Sequence, residues 1–350
     1  MEKEEYNLKG QINRQTRFEL LRIISMLMIV AGHSVVHGNY SEFPLSMNGA
    51  FAIALTQGAR IGVDIFVILT GYFSVGKKIS LSKMKSQCFQ IWTYSIIITA
   101  LMMAIGEIQF NAKLVVWALL PISTSQYWFA TCYILLLLIS PCLQICIENL
   151  GKKQYQKILI IMGVLWSLIP TLINTAPGYS NFVWFIYVYM LAAYFRKYGL
   201  VWISKIRIWH GVFVLLMICV SAISVYYIGD TIPLLKDNAI YLFAEMNKLP
   251  AILCALLLFF GFRNWDVKQS KVINIIASCT LGVYLLHDNP NIRRFLWCDL
   301  LKNSNYITKE YFALRISLCI IAVFAIGILI DWIRQYVMKE VINVFSKSKE

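Results

Sequence analysis

Apolar residues run along the chain in long blocks separated by short polar clusters, without the alternation that marks strands. A membrane helix needs about 20 mostly apolar residues. By that length the blocks predict spans over 19–37, 50–75, 87–106, 127–147, 157–175, 181–196, 209–228, 239–261, 272–290 and 311–333. The expected fold is an all-α integral membrane protein, a bundle of about ten transmembrane helices. The apolar stretch from Leu114 to Ile122 is too short to span and is expected to be re-entrant or interfacial. The stretch from Phe295 to Asn305 is amphipathic, and basic residues flank it.

Loop charges test this reading independently of hydropathy. Basic clusters occupy every second connection: Lys3, Lys9, Arg14 and Arg17 in the leader, then Lys77, Lys78, Lys83 and Lys85, then Lys152, Lys153 and Lys157. The pattern continues with Arg196, Lys197, Lys205 and Arg207, with Arg263, Lys268 and Lys271, and with the tail. The intervening connections hold few basic residues, apart from the last, with Arg293, Arg294, Lys302 and Lys309. Retention of basic loops inside then puts both termini in the cytoplasm. The expected organisation is a cytoplasmic leader over 1–18, a membrane domain over 19–333 and a cytoplasmic tail over 334–350. A multi-pass protein of the cell membrane, with the lipid bilayer as its solvent, follows. Glu19 and Arg22 inside the first apolar block, with no small-residue cleavage site, argue against a cleavable signal.

Composition agrees with this reading, since 59% of residues are hydrophobic and 14% charged, too few charges for a soluble domain at roughly 25%. The net charge of +14 is spread over loops and gathers on no single helix, which argues against a nucleic-acid partner. The nine cysteines include no CxxC, lie mostly in apolar blocks and support neither a disulfide framework nor a metal site. Cys142 and Cys146, one turn apart, read as packing residues. No internal repeat of the transporter kind is visible.

Ionisable side chains within a span cost a few kcal/mol and face partners or wet cavities, so each is a candidate site residue. Arg22 and His33 stand eleven positions apart on the first span. That is three turns, so they share a face at roughly 16 Å separation and cannot touch. His37 lies one turn further on the same face. Arg22 fits a snorkelling anchor paired with Glu19 as well as a ligand contact. His33 fits a helix-end imidazole bonded to a carbonyl as well as a general base. Arg60 and Asp64 have the i,i+4 spacing of a pair on the second span, structural or catalytic. Glu245 and Lys248, at i,i+3 on the eighth, read as a structural pair. The ninth span ends in His287, Asp288 and Asn289, at the outer level of His33. Tyr127 and Trp128 begin the fourth span on that side, as interfacial aromatics or as a platform for a sugar ring.

Four ordered segments together resemble the acyltransferase 3 family of integral membrane acyltransferases over nearly the whole chain. They are the Arg22-to-His33 spacing in FELLRIISMLMIVAGHS, GVDIFVILTGYF from Gly62 to Phe73, WFATCYILLLLISPCL from Trp128, and LGVYLLHDNPNIRRFLW from Leu281. Glu19 and Thr70 stand where the family often has aspartate and serine, and both keep the polar character.

The resemblance implies an O-acyltransferase, usually for acetyl, that uses cytoplasmic acetyl-CoA as donor and needs no metal. Its acceptor would be a hydroxyl of a cell-surface polysaccharide, capsule or exopolysaccharide, or of a lipid-linked precursor. His33 would be the general base or a transient acyl carrier, with Asp64 and His287 completing the catalytic group. Arg22, Arg60, Gly71 and Tyr72, with Lys77 and Lys78 nearby, would hold the coenzyme. Tyr127, Trp128, Asp288 and Asn289 would meet the acceptor. A small-solute transporter using the intramembrane charges is the alternative from another class, and a silent membrane scaffold is a third.

Overall fold

The computed structural model describes residues 15–77, 80–229 and 242–347, with the backbone alone from 341 onward. Among these residues it contains helices and no strand. In chain order the helices are α1 (Thr16–Val36), α2 (Met47–Ser74), α3 (Leu81–Ala104), α4 (Ala112–Leu119), α5 (Trp128–Asn149) and α6 (Lys152–Ile173). They continue with α7 (Asn181–Tyr198), α8 (Ile208–Ile228), α9 (Leu249–Arg263), α10 (Lys271–His287), α11 (Pro290–Arg294) and α12 (Phe312–Lys347). Serine side chains accept from backbone N–H groups at several starts, as Ser46 does from Gly49, Ser180 from Val183 and Ser270 from Ile273.

Each of the ten expected spans meets a helix, but seven are long and apolar enough to cross a membrane, namely α1, α2, α3, α5, α6, α8 and α12. The other three fall short for separate reasons. α7 is 18 residues long but rich in tyrosine and closes with Arg196 and Lys197. α9 has 15 residues, about 22 Å of helix, less than a bilayer core of about 30 Å. α10 is interrupted at Cys279.

The expected span over 239–261 begins only at Leu249, where Pro250 takes the first turn of the helix. Residues up to 241 there lie outside the described part. Glu245 and Lys248 therefore sit before the helix, and their i,i+3 helical pairing does not form. The stretch from Leu114 to Ile122 gives the short α4, with Ala118 its one buried residue. At the far end α12 carries on through the expected tail to Lys347. Most of the expected leader, residues 1–14, lies outside the described part.

α2 is the centre of the bundle, with 78% of its apolar window buried, while α6, α8 and α12 keep most of theirs on the outside. The outward side chains of α8, among them Phe213, Leu216 and Val220, form the apolar surface that lipid would cover. Small residues let backbones meet along α2. A Cβ on Gly62 would lie 2.6 Å from the Ser25 carbonyl oxygen, and one on Gly32 would lie 2.5 Å from Ala59 Cβ. Gly71 packs against the backbone of Tyr189 on α7 just as closely.

The basic connections predicted to share one side do gather at one end. Arg17 donates to the Arg263 carbonyl at 2.7 Å, Arg263 Nε donates to Tyr72 Oη at 2.9 Å, and Arg196 lies 5.2 Å from the Tyr72 ring centre. Lys197 donates to the Ile147 carbonyl at the end of α5. His33 and His37 stand at the opposite end of α1.

Candidate functional site

The last turn of α1 carries His33, and Gly32 beside it allows α2 to approach closely enough to put residues 59 and 60 at the same level. α10 arrives at this level and stops at His287, with Asp288 as its C-cap. Asn289 then caps α11 by accepting from the Asn291 N–H at 2.8 Å, with Pro290 in its first turn. The sharp end of α10 thus aims two successive side chains, His287 and Asp288, at α1.

His33 Nδ1 lies 3.0 Å from His287 Nε2, and His287 Nδ1 lies 2.6 Å from the Val283 carbonyl oxygen. A carbonyl only accepts, so the Val283 bond assigns the proton of a neutral His287 to Nδ1. His287 Nε2 is then an acceptor, and it takes the Nδ1–H of His33. The remaining nitrogen of His33, Nε2, is left as a basic lone pair. His33 keeps 17% of its side chain exposed, so the ring is not closed off from open space.

Asp288 is the site's anion and is almost wholly buried. Its Oδ1 lies 3.6 Å from His33 Nδ1, 3.2 Å from His37 Nε2 and 3.5 Å from Arg293 Nη1. Arg293 compensates the buried carboxylate, which would otherwise be costly in a membrane protein. This accounts for part of the basic character of the last connection, which breaks the charge alternation of the sequence. Sequence reasoning missed Arg293 for that reason, since a basic loop reads as a topology signal first. His37 was visible in the i,i+4 spacing from His33. The Val283 carbonyl carried no sequence signal.

His33, His287 and Asp288 therefore converge. Tyr127 and Asn289 lie just behind them and are occupied with each other. Asn289 Nδ2 donates to Tyr127 Oη at 2.6 Å, and Tyr127 Oη donates to the Leu285 carbonyl at 3.2 Å. Both are buried, so they brace the end of α10. Trp128 faces differently: the Arg60 guanidinium lies 5.1 Å from its ring centre.

The expected Arg60–Asp64 pair does not form. Arg60 Nε reaches Glu245 Oε1 at 3.4 Å, and Asp64, completely buried, accepts from Trp184 Nε1 at 2.8 Å. Successive turns of α2 face different neighbours, α5 and the segment before α9 for Arg60, α7 for Asp64. Asp64 thus lies apart from the histidines in its hydrogen bonding. Lys248 likewise bonds elsewhere, to the Pro170 carbonyl and to Asn174 Oδ1.

At the other end of α1, Arg22 pairs with Glu19 at 2.8 Å and keeps 31% of its side chain exposed. Gly71 is accounted for by its contact with Tyr189, and Tyr72 by its bond from Arg263. Lys77 stands 6.0 Å from the Phe73 ring centre, while Lys78 lies outside the described residues.

The ligand atoms of His33, His37 and Asp288 lie within 4.8 Å of one another, a spacing open to a divalent ion. Two of these groups already have partners, His33 in His287 and Asp288 in Arg293, so an ion would have to displace both. What the arrangement does without one is hold a neutral imidazole in one tautomer, beside a buried carboxylate.

Comparison with known proteins adds one finding. A family model described as an acyltransferase domain, that of the acyltransferase 3 family, matches residues 15–332. No curated protein and no solved structure matched the chain. The match runs from the start of α1 almost to Ile333 on α12, and so takes in both ends of the Arg22–His33 face and the whole of the histidine cluster. The protein is a membrane acyltransferase, and the chain belongs to the acyltransferase 3 family.

Proposed function

We propose that this acyltransferase moves an acetyl group from cytoplasmic acetyl-CoA to a hydroxyl of a cell-surface polysaccharide, a capsule or exopolysaccharide, or of its lipid-linked precursor. The observation that carries the reading is the chain of contacts from Val283 through His287 to His33, which leaves His33 Nε2 as a base. The chain works as a ten-span protein of the bacterial cell membrane with both termini in the cytoplasm, so that Arg22 stands toward the donor side and His33 toward the outer side.

The donor enters at the Arg22 end. Arg22 holds coenzyme phosphate by charge-assisted hydrogen bonds, and the pantetheine arm follows the face of α1 over the roughly 16 Å to His33. The acceptor hydroxyl gives its proton to His33 Nε2 as its oxygen attacks the thioester carbonyl carbon. The C–S bond then breaks, and the imidazolium returns the proton to the leaving thiolate. Asp288 stabilises the imidazolium, and His287 fixes the ring that carries it. Arg60, level with His33, supplies positive charge for the developing oxyanion, and the face of Trp128 away from Arg60 meets the sugar.

The test is His33→Ala at matched membrane expression, read as acetylation of the host's surface polysaccharide and as acetyl-CoA consumption by the purified protein in vesicles. Loss of both is expected, a drop of about 10²–10⁴. Full acetylation in that variant would sink the mechanism. Arg22→Ala should raise the donor concentration needed for half-maximal rate, and an unchanged donor dependence would count against its phosphate role.

A further inference from the structure

A cavity opens at the His33 end, between the end of α6 and the turn that precedes α9. Its volume is about 260 Å³, and its polar lining comes from Asn174, Thr175, Glu245, Asn247 and Lys248. That is below the roughly 300–1,000 Å³ of sites for drug-sized ligands, which suits one small polar ring. Two features separate this cavity from a chance surface hollow.

The first is that its polar groups are fixed. Lys248 is 4% exposed, and its ammonium donates to the Pro170 carbonyl and to Asn174 Oδ1 at 2.6 Å. An ammonium has three N–H groups, so two bonds leave one donor. Asn174 ends α6 with φ 54°, a left-handed conformation that asparagine tolerates, and the bond from Lys248 locks its carboxamide. Leu249 N–H donates to Thr171 Oγ1 at 2.8 Å and ties the two walls together.

The second is its connection to the histidine cluster. Glu245 lines the cavity and pairs with Arg60 at 3.4 Å. Arg60 lies over Trp128 and stands level with His33 through the Gly32–Ala59 contact. The Glu245–Arg60 pair therefore links the cavity wall to the level of His33 on α1.

The lining holds one carboxylate and one ammonium, together with two carboxamides and a hydroxyl. Each charged group already has a partner, Glu245 in Arg60 and Lys248 in the Pro170 and Asn174 oxygens, and the lining offers both donors and acceptors. Such a set matches the adjacent hydroxyls of an uncharged sugar and would gain little from an anionic one.

We propose that this cavity is a subsite for a neutral sugar unit next to the one acylated, so that the enzyme reads at least two units of its acceptor. The inference rests on the reading of the acceptor as a glycan. Binding at the subsite places the neighbouring unit's hydroxyl against His33 Nε2 and shows as a lower KM for longer acceptors.

Thr175 is exposed, lines the cavity and lies outside the groups assigned to the chemistry, so Thr175→Trp is expected to fill it. The protein in nanodiscs is probed by saturation-transfer NMR with methyl glucoside, N,N′-diacetylchitobiose and glucuronate. It is also assayed for transfer from acetyl-CoA to N-acetylglucosamine monosaccharide and disaccharide acceptors. The neutral sugars are expected to bind and glucuronate to be ignored. Thr175→Trp should weaken neutral-sugar binding and the disaccharide KM by about tenfold or more, the worth of one or two hydrogen bonds. The monosaccharide rate should be unchanged. Unchanged sugar binding in Thr175→Trp, or an equal loss for both acceptors, overturns the subsite while leaving the acyl transfer intact. Wild-type protein that consumes acetyl-CoA but binds no sugar overturns the subsite together with the glycan reading. Thr175→Ala keeps the cavity open and removes only its hydroxyl, so its loss should be smaller than that of Thr175→Trp, and an equal loss in the two would refute the assignment.

Discussion

His33 Nδ1 and His287 Nε2 lie 3.0 Å apart on two helices that run to the same end of the bundle, with His287 held at its other nitrogen by the Val283 carbonyl. If His287 acts by fixing the tautomer of His33, a side chain that only accepts at that position should keep part of the rate. His287→Gln, whose amide oxygen can accept from His33 Nδ1–H, is expected to retain more activity than His287→Leu, which should lose about 10²–10⁴ in kcat. The KM for acyl-CoA should stay put in both. Steady-state rates in proteoliposomes decide it, and equal loss in the two variants would mean that His287 only fills space.

Asp288 is expected to support the same step through charge. Asp288→Asn keeps the shape and removes the anion that three basic nitrogens share. A fall in kcat with little change in membrane expression is the outcome to look for. The double variant Asp288→Asn with Arg293→Gln, which relieves the uncompensated guanidinium, should recover expression but not rate. Recovery of rate would assign Asp288 to folding alone.

Much of this architecture was legible in the sequence because bilayer thickness sets the length of a span and because charges inside spans are rare. The apolar blocks located ten helices, and the charge alternation brought Arg17, Arg196 and Arg263 to one end. The eleven-residue spacing correctly kept Arg22 and His33 from touching. Pairings failed where they depended on neighbours remote in sequence. Arg60 and Asp64 look self-sufficient at i,i+4, yet Glu245 and Trp184 take them apart. Lys248 looks like a helical partner of Glu245, yet Pro250 starts the helix too late for that. Tyr127 and Asn289 were each placed on the side of His33, but their burial and their mutual bond belong to tertiary packing.

Asp64 offers a direct contrast between chemistry and packing. Its carboxyl accepts from Trp184 Nε1 in a fully buried position. Trp184→Phe should cost about 1–3 kcal/mol, the penalty for leaving a buried polar group without its partner. Thermal unfolding in detergent reads that loss, while the rate per folded molecule is expected to stay close to wild type. A collapse of rate at unchanged stability would instead place Asp64 in the reaction.

Gly71 should behave as a packing residue. A Cβ there would meet the backbone of Tyr189, which cannot swing aside as a side chain can. Gly71→Val is therefore expected to destabilise the α2–α7 contact by about 1–3 kcal/mol through overpacking. Lower yield and a lower melting temperature check this, with the KM for acyl-CoA in the surviving protein unchanged. A selective rise in that KM would return Gly71 to the coenzyme site.

The cluster of His33, His37 and Asp288 has ligand atoms close enough to hold a divalent ion, so hydrogen-bonded relay and metal centre make opposite predictions. In the relay, His33 Nδ1 carries a proton toward His287, and a metal at that nitrogen would have to expel it. Added zinc should then inhibit, by taking the nitrogens that set the tautomer, and EDTA should reverse the inhibition. Protein purified with chelator throughout is expected to keep its full rate, with metal content by mass spectrometry well below one ion per chain. His37→Gln should weaken zinc inhibition and leave the uninhibited rate nearly unchanged, because the polar contact of His37 in the cluster is with Asp288, while the tautomer of His33 is set by His287. Loss of activity on chelation with recovery on adding zinc would replace the relay by a metal site, and His33 would then be a ligand and no longer the base.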